Sequence, residues 1–211
     1  MRVSELSSQS EVPIPTIKFY LREGLLPAGT MTGATQAIYD HSHLERLRVI
    51  RVLRDVGQLS VTAIRDVLAA IDDPDLALPE VLELAHHALS PPPPRATTEH
   101  DEARRLVETF VAGLEWRVDP ASPALDALAG ALVALQQTVG PCGPDVFTPY
   151  AQAAEQIARF ELSTVDPRQS AESAVAQIVV GTVIFERALI ALRHLGEEHF
   201  SRERFGQPSD S

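Results

Sequence analysis

Cysteine is nearly absent from this 211-residue sequence, in which Cys142 is the only one. A single thiol excludes a disulfide bond within the chain, and it excludes a cluster of thiolate metal ligands within one chain. Uninterrupted apolar runs are also short, and none reaches the ~18–20 residues that a membrane span needs. The first residues continue into a polar segment rather than into the apolar stretch of a signal peptide. We therefore expect a cytoplasmic protein without membrane contact.

Signatures of catalysis are also missing. The sequence has no glycine-rich phosphate loop, no nucleophile elbow and no His-Glu metal motif. Its histidines, including the adjacent His86 and His87, lack the ligand count of a zinc site and are interpreted as surface residues. We predict a protein that is not an enzyme, with no catalytic residues, no metal and no cofactor.

Charge is present in both signs but is unevenly distributed. The net charge is −11, yet residues 1–72 carry 8 basic and 8 acidic side chains, whereas residues 73–211 carry 10 basic and 21 acidic ones. A neutral segment can still bind phosphates when its basic groups share one face. The asymmetry predicts two units with different roles, of which the first is the one compatible with nucleic acid.

Helical periodicity dominates the chain, and segments rich in alternating Val, Ile and Thr are nearly absent. We predict a mainly all-α fold with a small β-wing within residues 25–39, where Ala37-Ile38-Tyr39 forms one short strand. The third helix has an apolar face and a second face that carries Arg46, Arg48, Arg51 and Arg54. The predicted C-terminal helical segments are 97–117, 122–139, 144–163 and 167–200.

The clearest boundary is the run of four prolines at residues 91–94, which cannot continue a helix and favours a stiff spacer. We therefore predict one domain at residues 1–74, followed by a linking helix with a proline-rich linker at 75–94. A helical effector or regulatory bundle is predicted at 95–205.

The second helix, predicted to begin at Pro13 and to end near Glu23, has the composition of a DNA-recognition helix. Ile14, Ile17 and Leu21 fall on one face, and the remaining positions offer hydroxyls and positive charge that can bind phosphates. A surface helix with ordinary aromatic packing is the alternative that this pattern alone leaves open.

The same residues resemble the MerR family of bacterial transcriptional regulators. The matching segments are Thr16-Ile17-Lys18-Phe19-Tyr20, Glu23-Gly24-Leu25-Leu26-Pro27, Tyr39, Leu44-Glu45-Arg46-Leu47-Arg48-Val49-Ile50, and a second wing from Leu53 to Leu59 followed by Ser60 and Ile64. The resemblance covers about a third of the chain and implies a winged helix-turn-helix domain at residues 1–74, with a linking or dimerisation helix in residues 75–94. The residues expected to contact DNA are Thr16, Lys18, Phe19, Tyr20, Arg22, Gln36, Tyr39, Arg48 and Arg54.

The sequence departs from the family pattern at some of these positions. Lys18 and Phe19 stand where the family has Arg and Tyr, and Thr35-Gln36-Ala37 replaces the usual Gly-Tyr-Arg of the wing. Lysine keeps the charge but loses the guanidinium fork, and phenylalanine cannot donate a hydrogen bond. We expect Gln36 to hydrogen-bond to the DNA backbone in place of the missing arginine. We also expect the protein to make few direct contacts to bases.

The resemblance also implies a mechanism, in which a homodimer binds a pseudo-palindromic promoter operator in double-stranded DNA. The dimer bends and untwists the duplex and so acts indirectly on RNA polymerase. The dimer interface is expected either in the apolar face of residues 76–89 or in the 97–117 helix. A monomer that buries the 76–89 helix against its own C-terminal domain is the alternative.

The acidic C-terminal half is expected to hold a small-molecule effector. The candidate pocket residues are Phe110, Trp116, Phe147, Tyr150, Phe160 and Phe185, although aromatics at helical spacing are also ordinary core residues. A redox- or metal-responsive regulator acting through Cys142 is an alternative. A helical protein-interaction module without DNA binding is an alternative of another class.

Overall fold

A computed structural model describes residues 1–32, 36–90, 97–166 and 168–205, and its backbone is mainly helical. The helices are α1 (Val3–Ser10), α2 (Ile14–Arg22), α3 (His41–Arg51), α4 (Val61–Asp72), α5 (Leu78–Leu89), α6 (Thr98–Gly113), α7 (Pro123–Thr138), α8 (Thr148–Ser163) and α9 (Ala171–Phe205). A π-helical turn, Val52–Val56, continues α3, and a 3₁₀ turn, Pro144–Phe147, precedes α8.

The β-structure of the described ranges is one antiparallel pair of short strands. Strand β1 (Thr30–Met31) pairs with β2 (Ala37–Ile38) so that Thr30 faces Ile38 and Met31 faces Ala37. The predicted mainly α fold with a small β-wing is therefore confirmed. Gly33 and Thr35 of the predicted wing lie outside the described residues.

The chain divides into two compact units, of which the first joins Met1–Pro74 with Gln169–Ser211 and the second is Asp75–Arg168. This grouping differs from the predicted bounds 1–74, 75–94 and 95–205, because the last long helix goes with the N-terminal unit. The first turns of α9 pack on α3 and the π turn and bury Ala174, Val175, Ile178 and Val179. The four prolines predicted as a linker lie outside the described residues.

The core of the first unit is formed by the apolar faces of the N-terminal helices. Its largest fully buried side chains include Leu6, Ile17, Leu47, Ile50, Leu53 and Ile64. Gly24 (φ +71°) ends α2 in a left-handed conformation that favours glycine. The turn that follows donates from the Leu25 and Leu26 amides to the Tyr20 carbonyl at 2.9 and 3.3 Å, which carries both leucines into the core.

Side chains before α3 and α4 cap these helices. The Ser42 amide donates to Asp40 Oδ1 at 3.0 Å at the start of α3, and the Ala63 amide donates to Ser60 Oγ at 3.2 Å at the start of α4. Each bond satisfies an amide that the helix itself leaves without an acceptor. The start of α3 beside the wing is thereby fixed.

Arg46 was predicted on the face of the third helix opposite its apolar side chains, but its side chain is buried within the first unit. Its Nη2 donates to Asp72 at the end of α4 and lies 3.7 Å from Glu172 at the start of α9. Burial of this cation is compatible with folding because carboxylates accompany it. The cluster ties three helices of the first unit together.

The second unit has its core between α6 and α7. Buried side chains from the two helices pack together, and Phe110, Leu128, Val133, Cys142 and Phe147 cover them in part. The core residues are Ala103, Val107, Val111, Leu125, Ala129 and Leu132. Helix α8 follows the 3₁₀ turn and contributes no buried residue.

Candidate nucleic-acid interface

Helix α2 has a buried face and an open face, as a recognition helix requires. Ile17 and Tyr20 are buried, whereas Lys18 and Arg22 are exposed and Phe19 is half-buried. At 100° per residue, Lys18, Phe19 and Arg22 fall on one side of the helix. The open face of α2 therefore presents two cations beside an aromatic ring.

Tyr20 is buried through its ring but takes part in a polar pair at its hydroxyl. Arg54 Nη1 donates to Tyr20 Oη at 3.0 Å, and the Arg54 side chain is itself exposed. This hydrogen bond raises the pKa of Arg54 above its ordinary value. A guanidinium is charged throughout the working pH range even without such a shift. Because the hydroxyl accepts from Arg54, its own proton remains available for an acceptor such as a phosphate oxygen.

A pocket of about 420 Å³ opens beside this pair. Its polar side is formed by Thr16, Tyr20 and Arg54, and Phe19 of the open α2 face also lines it. The remaining lining residues are Pro15, Leu25, Leu59, Val61 and Ile64. An apolar wall that ends in a hydroxyl and a guanidinium matches a sugar–phosphate unit, which presents an apolar ring face and an anion.

Two further arginines brace the helix-turn-helix, and the sequence analysis did not identify either role. Arg51 Nη1 donates to the Ser10 carbonyl at 2.9 Å at the end of α1, and Arg65 Nη2 lies 3.1 Å from Glu23 Oε2 at the end of α2. These partners are about 40 positions apart in the chain, so sequence spacing carried no signal for them. The only sequence signal for such contacts was the arginine-rich composition of the third helix.

The wing residues fall into exposed and buried groups. Gln36 is exposed, and its carbonyl accepts from the Thr32 amide at 2.8 Å across the wing. Tyr39 is 6% exposed, exchanges backbone hydrogen bonds with Met1 and packs edge-on against the His43 ring at 5.1 Å. Arg48 is exposed on α3. Gln36 and Arg48 are thus available for contacts, whereas the Tyr39 ring lies mainly within the fold, and the roles of all three stay predictions.

The six predicted ligand-pocket aromatics are not gathered in one place. Phe110 and Phe147 pack on the α6–α7 core, whereas Trp116, Tyr150 and Phe160 are exposed. Phe185 lies on α9 and belongs to the first unit. Phe110 and Phe147 thus pack as ordinary core residues, which is the alternative that the sequence left open.

Cys142 is half-buried against the α6–α7 core, and its carbonyl accepts from Gln136 Nε2 at 2.8 Å. A potential metal-ligand group lies elsewhere in the second unit, where one atom each of Glu83, His87 and Asp119 lie within 4.8 Å of one another. This group contains no thiol and is formed by half-buried and exposed side chains.

Similarity to known proteins supports a helix-turn-helix in the N-terminal part of the chain. Residues 1–71 match the family described as MerR HTH family regulatory protein. The transcriptional regulator ZntR of Escherichia coli K12 is 32% identical over 74 residues, which are 35% of this chain and 52% of that protein. Nodulation protein NolA of Bradyrhizobium sp. NC92 is 29% identical over 128 residues, which are 61% of this chain and 51% of NolA. The chain thus spans about half the length of the curated relatives it matches.

A solved structure extends the similarity over the whole chain. The crystal structure of SCO5550 from Streptomyces coelicolor A3(2), described as a transcriptional regulator, aligns with a TM-score of 0.66 and 32% identity. The alignment covers 100% of both chains.

Proposed function

Because the chain belongs to the MerR family of helix-turn-helix regulators, we propose that it binds a promoter operator in double-stranded DNA and controls transcription there. It acts as a homodimer on a pseudo-palindromic site and distorts the duplex, which changes how RNA polymerase uses the promoter. The observation that carries this proposal is the open face of α2, where Lys18, Phe19 and Arg22 lie beside the Tyr20–Arg54 pocket.

Each group on this surface has a role that its chemistry supports. Lys18 and Arg22 supply mobile positive charge for the groove and its phosphates. Tyr20 and Arg54 form a preset donor pair for one phosphate, with the pair already assembled in the free protein. Phosphate contacts of this kind position the protein, and the distortion of the duplex adds specificity at positions that are not touched.

The test uses a duplex selected from a random pool for binding to the full-length protein. Fluorescence anisotropy should give an affinity for this duplex at least 100-fold higher than for a shuffled one at the same salt concentration. Lys18→Ala and Arg22→Ala should each weaken binding several-fold without a change in melting temperature. A matched control is Arg159→Ala, which removes an arginine that is 78% exposed on α8.

Two results would contradict the proposal. One is equal affinity for the selected and the shuffled duplex. The other is equal weakening by Arg159→Ala and by the α2 variants, because binding would then follow overall charge rather than this surface.

Control by a small-molecule effector is the remaining part of the proposal, supported by the family and by the separate compact unit of residues 75–168. A binding ligand should raise the melting temperature of the full-length protein and change operator affinity. The alternative that acts through Cys142 predicts instead that Cys142→Ser abolishes the response to peroxide. Because this thiol is half-buried, we expect it to react slowly with peroxide.

A further inference from the structure

A histidine and two carboxylates converge within the second unit, and we propose that they bind a divalent transition-metal ion, for which Zn²⁺ is the best fit. One donor atom each of Glu83, His87 and Asp119 lie within 4.8 Å of one another. Glu83 and His87 belong to α5, whereas Asp119 lies between α6 and α7. The site has no part in the proposed DNA contacts, so the inference goes beyond the proposed function and does not depend on it.

Two of the ligands stand one turn apart on α5. Residues at i and i+4 project from the same helix face, so Glu83 and His87 reach the same space. His87 Nε2 lies 3.8 Å from Glu83 Oε1, which is longer than a hydrogen bond. Val81 and Ala85 are the buried residues of this helix and fall on its other side. Because the pair lies outside the apolar packing of α5, its side chains are available to a ligand.

The third ligand is held in place by contacts of its own segment. The Ala121 amide donates to Asp119 Oδ1 at 2.9 Å. Arg104 of α6 donates through Nη2 to the carbonyl of the next residue, Pro120, at 2.5 Å. These bonds fix the Asp119 segment on α6 and leave lone pairs of the carboxylate for a metal ion. Sequence spacing could not reveal this ligand, because Asp119 lies more than 30 positions after His87.

The two carboxylates lack a basic partner. Across the part of the chain that the structure describes, no lysine or arginine forms an ion pair with Glu83 or Asp119. Arg104, which holds the neighbouring carbonyl, pairs instead with Glu108 and Asp126. Carboxylates this close repel each other, and a divalent cation between them would offset both charges. The charge balance therefore favours a divalent cation as the occupant, and the histidine adds a nitrogen donor to the two acidic groups.

The donor set indicates which class of ion fits. Imidazole with carboxylates suits Zn²⁺ and its neighbours among the first-row metals, whereas Mg²⁺ and Ca²⁺ prefer sites made of oxygen alone. Zinc binds these donors at ~2.0–2.2 Å, so a tetrahedral site spaces them ~3.3–3.6 Å apart. Small side-chain rotations would bring the 3.8 Å between His87 and Glu83 to this spacing. Because the side chains are half-buried or exposed, water can supply the fourth ligand.

A bound ion would link two parts of the second unit. It would join α5, near the beginning of this unit, to the segment that Arg104 holds on α6. Ligands this far apart in sequence meet only in the folded chain, so metal binding stabilises the folded state. We therefore expect the ion to raise the melting temperature of the protein.

The experiment titrates full-length protein, treated with EDTA and dialysed, with ZnCl₂ in an isothermal calorimeter. Wild type should bind one Zn²⁺ per chain with a dissociation constant in the micromolar range. His87→Ala and Asp119→Asn should each weaken binding at least tenfold. Both variants should melt like wild type in the absence of metal, and Asp119→Asn keeps an oxygen that can accept from the Ala121 amide.

The chain offers a matched control in its first unit. His41 Nε2 also lies 3.8 Å from the carboxylate of Glu45, one turn away on α3. Within the described ranges, no third ligand is grouped with this pair. His41→Ala should therefore leave zinc binding unchanged. Cys142→Ser should leave it unchanged as well, because the thiol is not one of the three ligands.

Thermal unfolding provides an independent readout. Zn²⁺ at 100 times its dissociation constant should raise the melting temperature of wild type by about 5–10 °C. Asp119→Asn should show no such rise at the same concentration. Mg²⁺ at that concentration should leave the melting temperature of wild type unchanged, because a site with an imidazole ligand disfavours it.

Four results would overturn the inference. The first is the absence of saturable zinc binding, and the second is unchanged affinity in both His87→Ala and Asp119→Asn. The third is an equal loss in His41→Ala, which would indicate adventitious binding to surface histidines. The fourth is a loss in Cys142→Ser, which would place the ion on the thiol. None of these measurements uses DNA, so their outcome is separate from the test of promoter binding.

Discussion

At the scale of single residues, the Tyr20 hydroxyl links the buried side of α2 to its open face. Tyr20→Phe keeps the ring in the core and removes the acceptor of Arg54 Nη1. We expect operator affinity to fall about 3- to 10-fold, which corresponds to about 0.7–1.4 kcal/mol, the usual net contribution of one hydrogen bond. The melting temperature should change by no more than about 2 °C.

The measurement is anisotropy with the selected duplex, and the control is Tyr150→Phe on α8 of the second unit. Unchanged affinity in Tyr20→Phe would mean that the pair with Arg54 does not contact the duplex.

Asp40 provides a second prediction, on stability against pH. Hydrogen bonds from Ser42 and then His43 hold the pKa of Asp40 well below its ordinary value. Because the pKa of Asp40 is depressed in the folded state, its ionised carboxylate stabilises the fold fully above the unfolded pKa of about 4. This stabilisation is lost as the pH falls through the folded pKa. Asp40→Ala should therefore lower the melting temperature by about 2–4 °C at pH 7.

The difference between wild type and Asp40→Ala should shrink below about pH 4 and vanish in strong acid. Asp145→Ala, at an exposed aspartate of the second unit, serves as the control. A difference that grows as the pH is lowered would contradict the role of Asp40 as an ionised helix cap.

The residue-level predictions that succeeded depended on local pattern. The open positions Lys18 and Arg22 follow from helical periodicity within nine residues of α2. The prediction for Arg46 failed because its partners Asp72 and Glu172 lie far along the chain. Periodicity places a side chain on a helix face, but it does not reveal which distant carboxylates cover that face.

At the scale of elements, the wing depends on a close approach at Gly29. A Cβ atom at Gly29 would lie 2.7 Å from the Ile38 carbonyl oxygen and 3.0 Å from the Tyr39 ring. We expect Gly29→Ala to displace the wing and to lower operator affinity at least tenfold. Gly113→Ala, at a helical position with no atom within 4 Å of the added Cβ, should be neutral or stabilising by about 0.4–1 kcal/mol.

The ion cluster at Arg46 predicts a further element-scale effect. Asp72→Asn leaves a buried guanidinium with Glu172 as its remaining charged neighbour at 3.7 Å. We expect a loss of about 1–3 kcal/mol in the free energy of unfolding, measured by urea denaturation. Asp66→Asn, at an exposed position on the same helix, should change the free energy by less than about 0.5 kcal/mol.

The elements themselves were well predicted, because prolines, glycines and capping residues mark their ends. The π turn was not predicted, since a one-residue change in helical register leaves the apolar pattern of Leu47, Ile50 and Leu53 intact. The assignment of α9 to the first unit was also missed. Its anchoring residues look the same in sequence whether they pack on α3 or within a C-terminal bundle.

At the scale of the whole molecule, DNA binding should depend steeply on salt concentration, because the proposed charged contacts are to phosphates. The logarithm of the association constant should fall linearly with the logarithm of salt concentration, by about 0.9 per phosphate neutralised. Lys18→Ala should reduce the slope by about 2 for a dimer, that is ~1 per subunit. An unchanged slope with reduced affinity would place Lys18 against a base rather than a phosphate.

The π turn at Val52–Val56 gives the molecule a short mechanical path. Its Gly57 amide reaches back five residues to the Val52 carbonyl at 2.9 Å, so this turn holds one residue more than an α-helical turn does. The same turn carries Arg54, which bonds Tyr20 of α2, and it also supports the anchored end of α9. A tightening to α-helical register would swing Arg54 by about 100° about the helix axis. A single turn thus separates the anchored end of α9 from the Arg54 guanidinium, and we expect a movement of that end to change the position of Arg54.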